Sequence, residues 1–305
     1  MRLSAILSSV AILLTVSAVC DRPDEWELVL DEDPAWSPDG TQIAFVRRDS
    51  TGRGLYVIDS SGQNERLVLE GNWISPGWSP DGRWLVFSTA YVGTIYKVKA
   101  DSDSLTRLTF EGSCFYPDWS VKNRIAYDSN ENDPKGANVL WLMDQDGSNR
   151  RDISEHGLGE WRCPSWASDG SRILFLRYYP GGQPEPDLAI IDSAGTDQER
   201  LTNDSSDYRR PRWSPDGRTI AVSRCVNYEY RLWILDLSTQ HWTKLPTPHS
   251  GAYNAFDPTW SPDGKRICFS LELSREVGWG RHQTCGRIWM VDRDGTNLRQ
   301  LTTRP

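Results

Sequence analysis

The stretch Pro34-Ala35-Trp36-Ser37-Pro38-Asp39-Gly40 decides the fold, because the chain repeats it. Its core, Trp-Ser-Pro-Asp-Gly, is found six times. Intact copies occupy Trp36–Gly40, Trp78–Gly82, Trp213–Gly217 and Trp260–Gly264, and altered copies occupy Trp166–Gly170 and Trp119–Asn123. Successive tryptophans are 41 to 47 residues apart. A period of this length indicates a repeat architecture.

Each repeat predicts four short strands. Pro-Asp-Gly is typical of a tight turn, because Pro presets φ, Asp bonds to the local backbone and Gly accepts a positive φ. In the first repeat, apolar residues Ile43–Phe45 follow the turn, and a second apolar stretch ends at Tyr56–Asp59. Short segments such as Arg200–Thr202 close the unit. Radial repetition of four-stranded units is typical of a β-propeller. We therefore predict an all-β, six-bladed β-propeller of four-stranded antiparallel blades, as a single domain over residues 21–305.

The two ends of the chain compete for one strand position. Trp26–Leu30 reads as an outer strand before the first repeat, and Leu298–Thr302 reads as one after the last. We expect the C-terminal segment to complete the sixth blade, with the N-terminal segment packed beside it.

Composition excludes one class of partner. The 305-residue chain has a formal net charge of −8 at pH 7. An acidic chain repels the phosphate backbone, so we expect no nucleic-acid partner.

The first 20 residues read as a secretory signal peptide. Arg2 precedes an apolar run from Ala5 to Val16 that is too short to span a bilayer comfortably. Ser17-Ala18-Val19-Cys20 then allows two interpretations. It is either a lipoprotein signal with Cys20 lipidated, or a site cleaved after Ala18. In both cases we expect export across the inner membrane to the periplasm, with membrane contact only through an anchor at Cys20.

The repeats resemble the TolB-like family of bacterial propellers, whose units carry Pro-x-Trp-Ser-Pro-Asp-Gly. That form occurs at Pro34–Gly40, Pro76–Gly82, Pro211–Gly217 and Pro258–Gly264. The resemblance covers about residues 26 to 305 and implies a stand-alone propeller, without the N-terminal domain of TolB. It also implies a periplasmic role in binding proteins. The chain has no Gly-x-Ser-x-Gly elbow, which hydrolases with similar repeats need.

We expect a binding site on the face of the propeller where the inner, tryptophan-bearing strand of each repeat begins. Loops of variable length collect there, at Asp128–Asn138, Tyr178–Asp187 and Leu273–Gly286. The residue before each repeat proline should line the channel mouth; these residues are Asp33, Ser75, Tyr116, Cys163, Arg210 and Asp257. Arg and aromatic residues anchor many interfaces. The predicted binding residues are Asp33, Tyr116, Trp161, Arg210, Arg212, Tyr253 and Asp257. Alternatively, these side chains only plug the channel.

From these features we expect a non-enzymatic, monomeric module that binds a protein or peptide partner in the cell envelope and needs no cofactor. The enzyme alternative is a metal-dependent carbohydrate lyase or hydrolase that uses His156, His249 and His282. The spacing of these histidines does not itself indicate a metal site.

Export would permit disulfides. Cys114 with Cys163, and Cys225 with Cys285, are the pairs that the repeat arrangement makes possible. Connectivity cannot be deduced from sequence alone.

Overall fold

The computed structural model describes residues 29–50, 52–101, 104–131, 133, 135–154, 159–181, 185–248, 253–276 and 282–303, without the side chains of residues 275, 276, 282 and 283. This part of the chain contains 24 β-strands and no helix. The predicted signal peptide and Cys20 lie outside the described residues.

Four separate sheets each contain four antiparallel strands that follow one another in sequence. The first is β5 (Trp73–Trp78), β6 (Trp84–Thr89), β7 (Ile95–Lys99) and β8 (Thr106–Arg107). The second is β9 (Cys114–Trp119), β10 (Arg124–Ser129), β11 (Val139–Asp144) and β12 (Arg151–Asp152). The third is β13 (Glu160–Trp166), β14 (Arg172–Tyr178), β15 (Asp187–Asp192) and β16 (Gln198–Arg200). The fourth is β17 (Tyr208–Trp213), β18 (Thr219–Val226), β19 (Glu229–Asp236) and β20 (Trp242–Lys244).

A fifth sheet contains eight strands, which form two arms. The first arm is β1 (Leu30–Trp36), β2 (Gln42–Arg48), β3 (Arg53–Asp59) and β4 (Arg66–Glu70). The last arm is β21 (Tyr253–Trp260), β22 (Arg266–Glu276), β23 (His282–Asp292) and β24 (Arg299–Gln300). The number of separate four-stranded sheets is therefore four and not six. The chain is an all-β protein of four-stranded antiparallel blades in a propeller arrangement.

The two arms join where β1 pairs with β23 in parallel, at Leu30 and Gly286. The amide of Gly286 donates to the carbonyl of Val29 at 3.0 Å. A Cβ on Gly286 would lie 2.5 Å from Cδ1 of Leu30, so a larger residue here would have to displace the Leu30 side chain. β24 pairs with β23 further along, at Trp289 and Met290. The C-terminal strand thus takes the fourth position of its arm, as predicted. Of the predicted N-terminal segment, Val29 and Leu30 lie against β23, and residues 26–28 lie outside the described residues.

The repeated turns are built by their serine and aspartate. Ser37 Oγ donates to Asp39 Oδ1 at 2.6 Å and accepts the amide of Gln42 at 2.9 Å. The same pair of bonds recurs in the second repeat, where the hydrogen bond from Ser79 lowers the pKa of Asp81 to about 2. The repeated Asp is therefore a turn residue, as predicted.

The repeated tryptophans are wedged between neighbouring sheets. All six side chains are buried to the same extent, with 6–8% of their surface exposed. The indole Nε1 of Trp78 donates to the carbonyl of Ala35 on the preceding inner strand at 3.0 Å, and Trp260 bonds to Arg212 in the same way at 3.3 Å. Burial of this kind gives the repeated tryptophans a structural role in the core.

Turn-to-turn contacts also link neighbouring repeats. A Cβ added to Gly82 would lie 3.5 Å from the ring of Pro38, and one added to Gly264 would lie 3.6 Å from the ring of Pro215. The same relation joins the two ends of the chain, because Gly40 faces Pro262 at 3.6 Å.

One predicted loop is largely strand. Within this segment, Leu273–Gly286, residues 273–276 of β22 and 282–286 of β23 pair in regular antiparallel register. Ser274 and Thr284 stand opposite each other with their hydroxyl oxygens 2.9 Å apart. This pair of hydroxyl groups stabilises strand pairing beyond the core. A short polar segment has no hydrophobic periodicity that would predict such pairing.

Candidate binding site

The channel mouth is formed by one β-bulge in the inner strand of every repeat. The register shifts at the same place each time, for example between Glu32 and Ala35 in β1. The residue before the proline has a φ of 50–55° at all six positions, namely Asp33, Ser75, Tyr116, Cys163, Arg210 and Asp257. Positive φ is uncommon for residues other than glycine, and a bulge re-aims a side chain. These are the six residues that the sequence places at the mouth.

Arg210 lies at the centre of this ring and contacts its neighbours from several strands. Its guanidinium donates to Asp33 at 2.7 Å and to Ser75 Oγ at 2.8 Å, and its Nε lies 3.3 Å from Asp257. The guanidinium carbon also lies 4.1 Å from the ring centre of Tyr116. Charge-assisted hydrogen bonds and a cation–π contact thus fix the side chain.

Burial sets the protonation of this floor. It raises the pKa of Asp257 to about 6, and the charge of Asp33 adds to the shift while Arg210 opposes it. Burial also raises the pKa of the Cys163 thiol to about 12. Asp257 therefore titrates near neutral pH, whereas Cys163 stays a neutral thiol.

A cavity of about 670 Å³ opens above this floor. Below the floor lies a second space of only about 10 Å³, between Arg210, Arg212 and the repeat prolines of β1, β5 and β21. That volume holds about one water molecule. The channel mouth is therefore a bowl with a polar floor, of the size that binds a small molecule or a short peptide segment.

Most charges in the wall of the bowl are paired. Arg48 lies 2.5 Å from Glu32 on the neighbouring strand, and Arg162 lies 2.5 Å from Glu160. Arg209 lies 3.7 Å from Asp207. Its guanidinium also lies over the rings of Tyr230, at 4.3 Å, and Phe256, at 5.6 Å.

Three ionisable wall groups form no ion pair within 4 Å among the described residues: Arg53, Glu185 and Glu272. Arg53 bonds only to neutral groups, the side-chain oxygen of Asn72 and the hydroxyl of Tyr91. Burial raises the pKa of Glu272 to about 8, with further contributions from the charges of Glu32 and Asp257. Burial likewise raises the pKa of Glu32 to about 7, against the opposing charge of Arg48.

Five of the seven predicted binding residues meet here. Asp33, Tyr116, Arg210 and Asp257 line the bowl, and Arg212 lines the narrow space below it. The other two lie in the core, which corrects their predicted place at the mouth. Trp161 is fully buried and stacks on Phe175 with ring centres 4.7 Å apart. Tyr253 packs in the cluster of buried residues between β19 and β21.

The predicted disulfides do not form. Cys114, Cys163 and Cys225 are free, and Cys285 is disulfide-bonded to none of them. Cys114 lies two residues before Tyr116, and Tyr116 rather than Cys114 occupies the position equivalent to Cys163. The two thiols therefore occupy different places in their repeats.

The metal alternative uses three histidines. His156 and His249 lie outside the described residues, as does the side chain of His282. Within the described ranges, no group of three or more His, Cys, Asp or Glu side chains is arranged to hold a metal ion. Nor does this part of the chain contain a helix long and apolar enough to cross a membrane.

Sequence reasoning missed most of the wall. Arg48 and Arg53 lie at the facing ends of a second and a third strand, Tyr91 lies in the turn between two such strands, and Glu272 lies within the second strand β22. Only their place in the repeat could have identified them. When the repeats are aligned on the tryptophan, these positions fall on the same face as the predicted mouth residues.

The comparisons with known proteins agree with this architecture. A family model described as TolB beta propeller domain matches residues 30–133 and 120–304. An uncharacterized protein of Agrobacterium fabrum is 32% identical over 161 residues, covering 48% of this chain and 54% of that protein. The Tol-Pal system protein TolB of Anaeromyxobacter dehalogenans is 31% identical over 135 residues, covering 44% of this chain and 27% of that protein. The chain thus spans about half or less of the length of these relatives.

A solved structure, described as a putative TolB from Agrobacterium tumefaciens, superposes with a TM-score of 0.64 at 20% identity. The match covers 78% of this chain and 84% of that one. At this identity the likeness concerns the fold alone. Because the family model spans nearly all of the described residues, the chain belongs to the TolB beta propeller domain family.

Proposed function

We propose that the protein is a non-enzymatic binding module that receives a segment of a protein or peptide partner in the bowl at its channel mouth. The observation that carries this proposal is the wall of the bowl, where arginines lie on aromatic rings around a cavity of about 670 Å³. Arginine, tyrosine and tryptophan dominate the binding energy of protein interfaces. The bowl is also wide enough for side chains of a partner to enter.

Asp33, Tyr116, Arg210 and Asp257 form the proposed floor of the site. They are already held by one another, so they need no rearrangement when a partner binds. A preorganised surface loses less conformational entropy on association. Arg209 and Tyr91 supply the accessible rim. The side chain of Arg209 is 53% exposed, and the whole residue Tyr91 is 78% exposed.

The proposed propeller has six blades, with the eight-stranded sheet counted as two. Each arm of that sheet has four antiparallel strands, like the separate sheets, and a single parallel pairing joins the arms. The contact of Gly40 with Pro262 also matches the contacts between repeats elsewhere. Six copies of the tryptophan motif support the same count.

The proposed location is the periplasm, as a monomer, either free or held to a membrane through Cys20. Support comes from the signal-like residues 1–20 and from TolB-like relatives. The partner would then be a protein of the cell envelope.

Site-specific photo-crosslinking tests the proposed function. With benzoyl-phenylalanine at Tyr91, we expect a covalent adduct with an envelope protein; the same amino acid at Arg83, on the opposite face, should give none. Arg209→Ala should weaken the adduct at position 91, whereas Arg124→Ala, near the opposite face, should not. Equal crosslinking from both faces, or none from Tyr91, would remove the proposed site.

A further inference from the structure

Two of the three wall groups that form no ion pair with the described residues, Arg53 and Glu272, belong to the eight-stranded sheet and differ in sign when ionised. Arg53 belongs to the first arm of the eight-stranded sheet, and Glu272 belongs to the last arm. Both side chains line the same cavity. Every other guanidinium in its wall or floor has a carboxylate within 4 Å, namely Arg48, Arg162, Arg209 and Arg210. The unpaired charges therefore mark where a ligand could add partners.

Arg53 stands directly across the strand pair from Arg48. Like charges in directly opposed positions destabilise a sheet. Glu32 neutralises Arg48, but no carboxylate among the described residues reaches Arg53. Asn72 and the hydroxyl of Tyr91 instead hold its guanidinium in place. The fold thus holds this guanidinium in position without pairing it with a carboxylate of the described residues.

Glu272 has the opposite character. It is opposed by Asn254 on β21 and by Gly286 on β23, which has no side chain. No hydrogen bond or ion pair from the described residues reaches its carboxyl group. The charged groups that face it are Glu32 and Asp33 on β1, Arg48 on β2 and Asp257 on β21. Three of these four groups carry the same sign as an ionised Glu272.

We propose that the bowl binds a peptide segment with two opposite charges, placing a carboxylate on Arg53 and an ammonium or guanidinium group on Glu272. This inference rests on the proposed function and names the chemistry that the partner must present. A guanidinium pairs well with a carboxylate because several of its N–H groups can donate at once. A cation at Glu272 would relieve the repulsion among the carboxyl groups around it.

A pH dependence follows from the same arrangement. The raised pKa of Glu272, about 8, keeps much of this group protonated at neutral pH in the free protein. A bound cation favours the ionised form, so binding should release protons and should strengthen as the pH rises from about 6 to about 8.5. Arg53 stays charged throughout this range.

Short synthetic peptides test the pairing. The probes are acetylated and amidated peptides with Lys and Asp separated by one to four glycines, together with analogues that carry Gln for Lys or Asn for Asp. Isothermal titration calorimetry measures their dissociation constants. For the best spacer, we expect the doubly charged peptide to bind at least about tenfold more tightly than either single analogue.

Two variants assign each charge to its residue. Arg53→Gln should abolish the preference for Asp over Asn and leave the preference for Lys over Gln. Glu272→Gln should do the reverse and should reduce the pH dependence. Arg66→Gln and Glu199→Gln, both on exposed outer strands, are the matched controls and should change neither preference.

Equal binding of all analogues, preferences that survive both variants, or no binding up to ~10 mM would overturn the inference. If crosslinking from Tyr91 still captured a partner in that event, the proposed function would stand and only the charge assignment would fall. Loss of that crosslink as well would remove both.

Discussion

The two ends of the inner strands differ in how they use the repeat. At the turn end, the same residue types recur, and they make the same hydrogen bonds from Ser37 and Ser79 to their neighbouring aspartates. At the channel mouth, the backbone recurs with φ of 50–55°, but the six side chains are nearly all different. The turn end therefore repeats chemistry, whereas the mouth repeats only geometry. A repeated backbone with unlike side chains allows one fold to present a single asymmetric site.

The largest effect should come from the centre of the mouth. Arg210→Leu leaves Asp33 and Asp257 without their shared cation, and breaking a buried pair of this kind should lower the free energy of unfolding by about 3 kcal/mol at pH 8. The loss should be smaller at pH 5, because the raised pKa of Asp257 lets its carboxyl group become neutral. Urea unfolding at both pH values measures the difference. Arg209→Leu, on the exposed rim, is the control, and an equal loss at pH 5 and pH 8 would contradict the explanation.

A smaller effect is expected at the turn end. Ser79→Ala removes the bond to Asp81 and the bond from the amide of Trp84, which should cost about 1 kcal/mol. The pKa of Asp81 should rise toward its ordinary value, as an NMR titration can show. The lowered pKa of Asp81 stabilises the unmodified protein above pH 4, and this stabilisation is lost as the pH falls toward 2. The variant lacks it, so its free energy of unfolding should fall less on acidification.

The altered third repeat provides the comparison for that prediction. Ser120 accepts the amide of Arg124 at 3.2 Å, in a turn that lacks the aspartate. Ser120→Ala should therefore cost less than Ser79→Ala. The opposite order would show that the serine–aspartate bond does not stabilise the turn.

The smallest effect should be a gain. In the fourth repeat Ser168 takes the place of the proline, and a Cβ on Gly217 of the next repeat would meet nothing within 4 Å. Ser168→Pro should raise the free energy of unfolding by about 0.5–1 kcal/mol, because it restricts the unfolded chain and restores the missing ring. Thermal unfolding measures the change. Ala167→Pro should destabilise instead, since the amide of Ala167 donates to Arg172.

Local signals account for most of the fold that could be predicted. The tryptophans, the turns and the strands repeat within short windows, and the residue before each proline is identified by its place in the repeat. The interpretation of Trp161 failed for a physical reason. In a regular strand it would share a face with Cys163, but the bulge at that position breaks the alternation, and Trp161 stacks on Phe175 in the core instead.

Such local signals do not predict which charged groups meet in the bowl. Arg210 and Asp33 are 177 residues apart, and Glu272 meets Glu32 only because the last arm of the eight-stranded sheet lies against the first. The pKa of Glu272 depends on burial and on carboxyl groups from other strands. Neither its burial nor these nearby carboxyl groups could be inferred from its neighbours in the chain.

The amino-acid sequence by itself determined the repeat, its turns and the six bulge positions before the repeat prolines, because each depends on residues close together in the chain. Only the tertiary structure decided which side chains meet there and which charges stay unpaired. Those contacts depend on distances between strands that are far apart in sequence, and electrostatic interactions depend on distance and burial rather than on order in the chain.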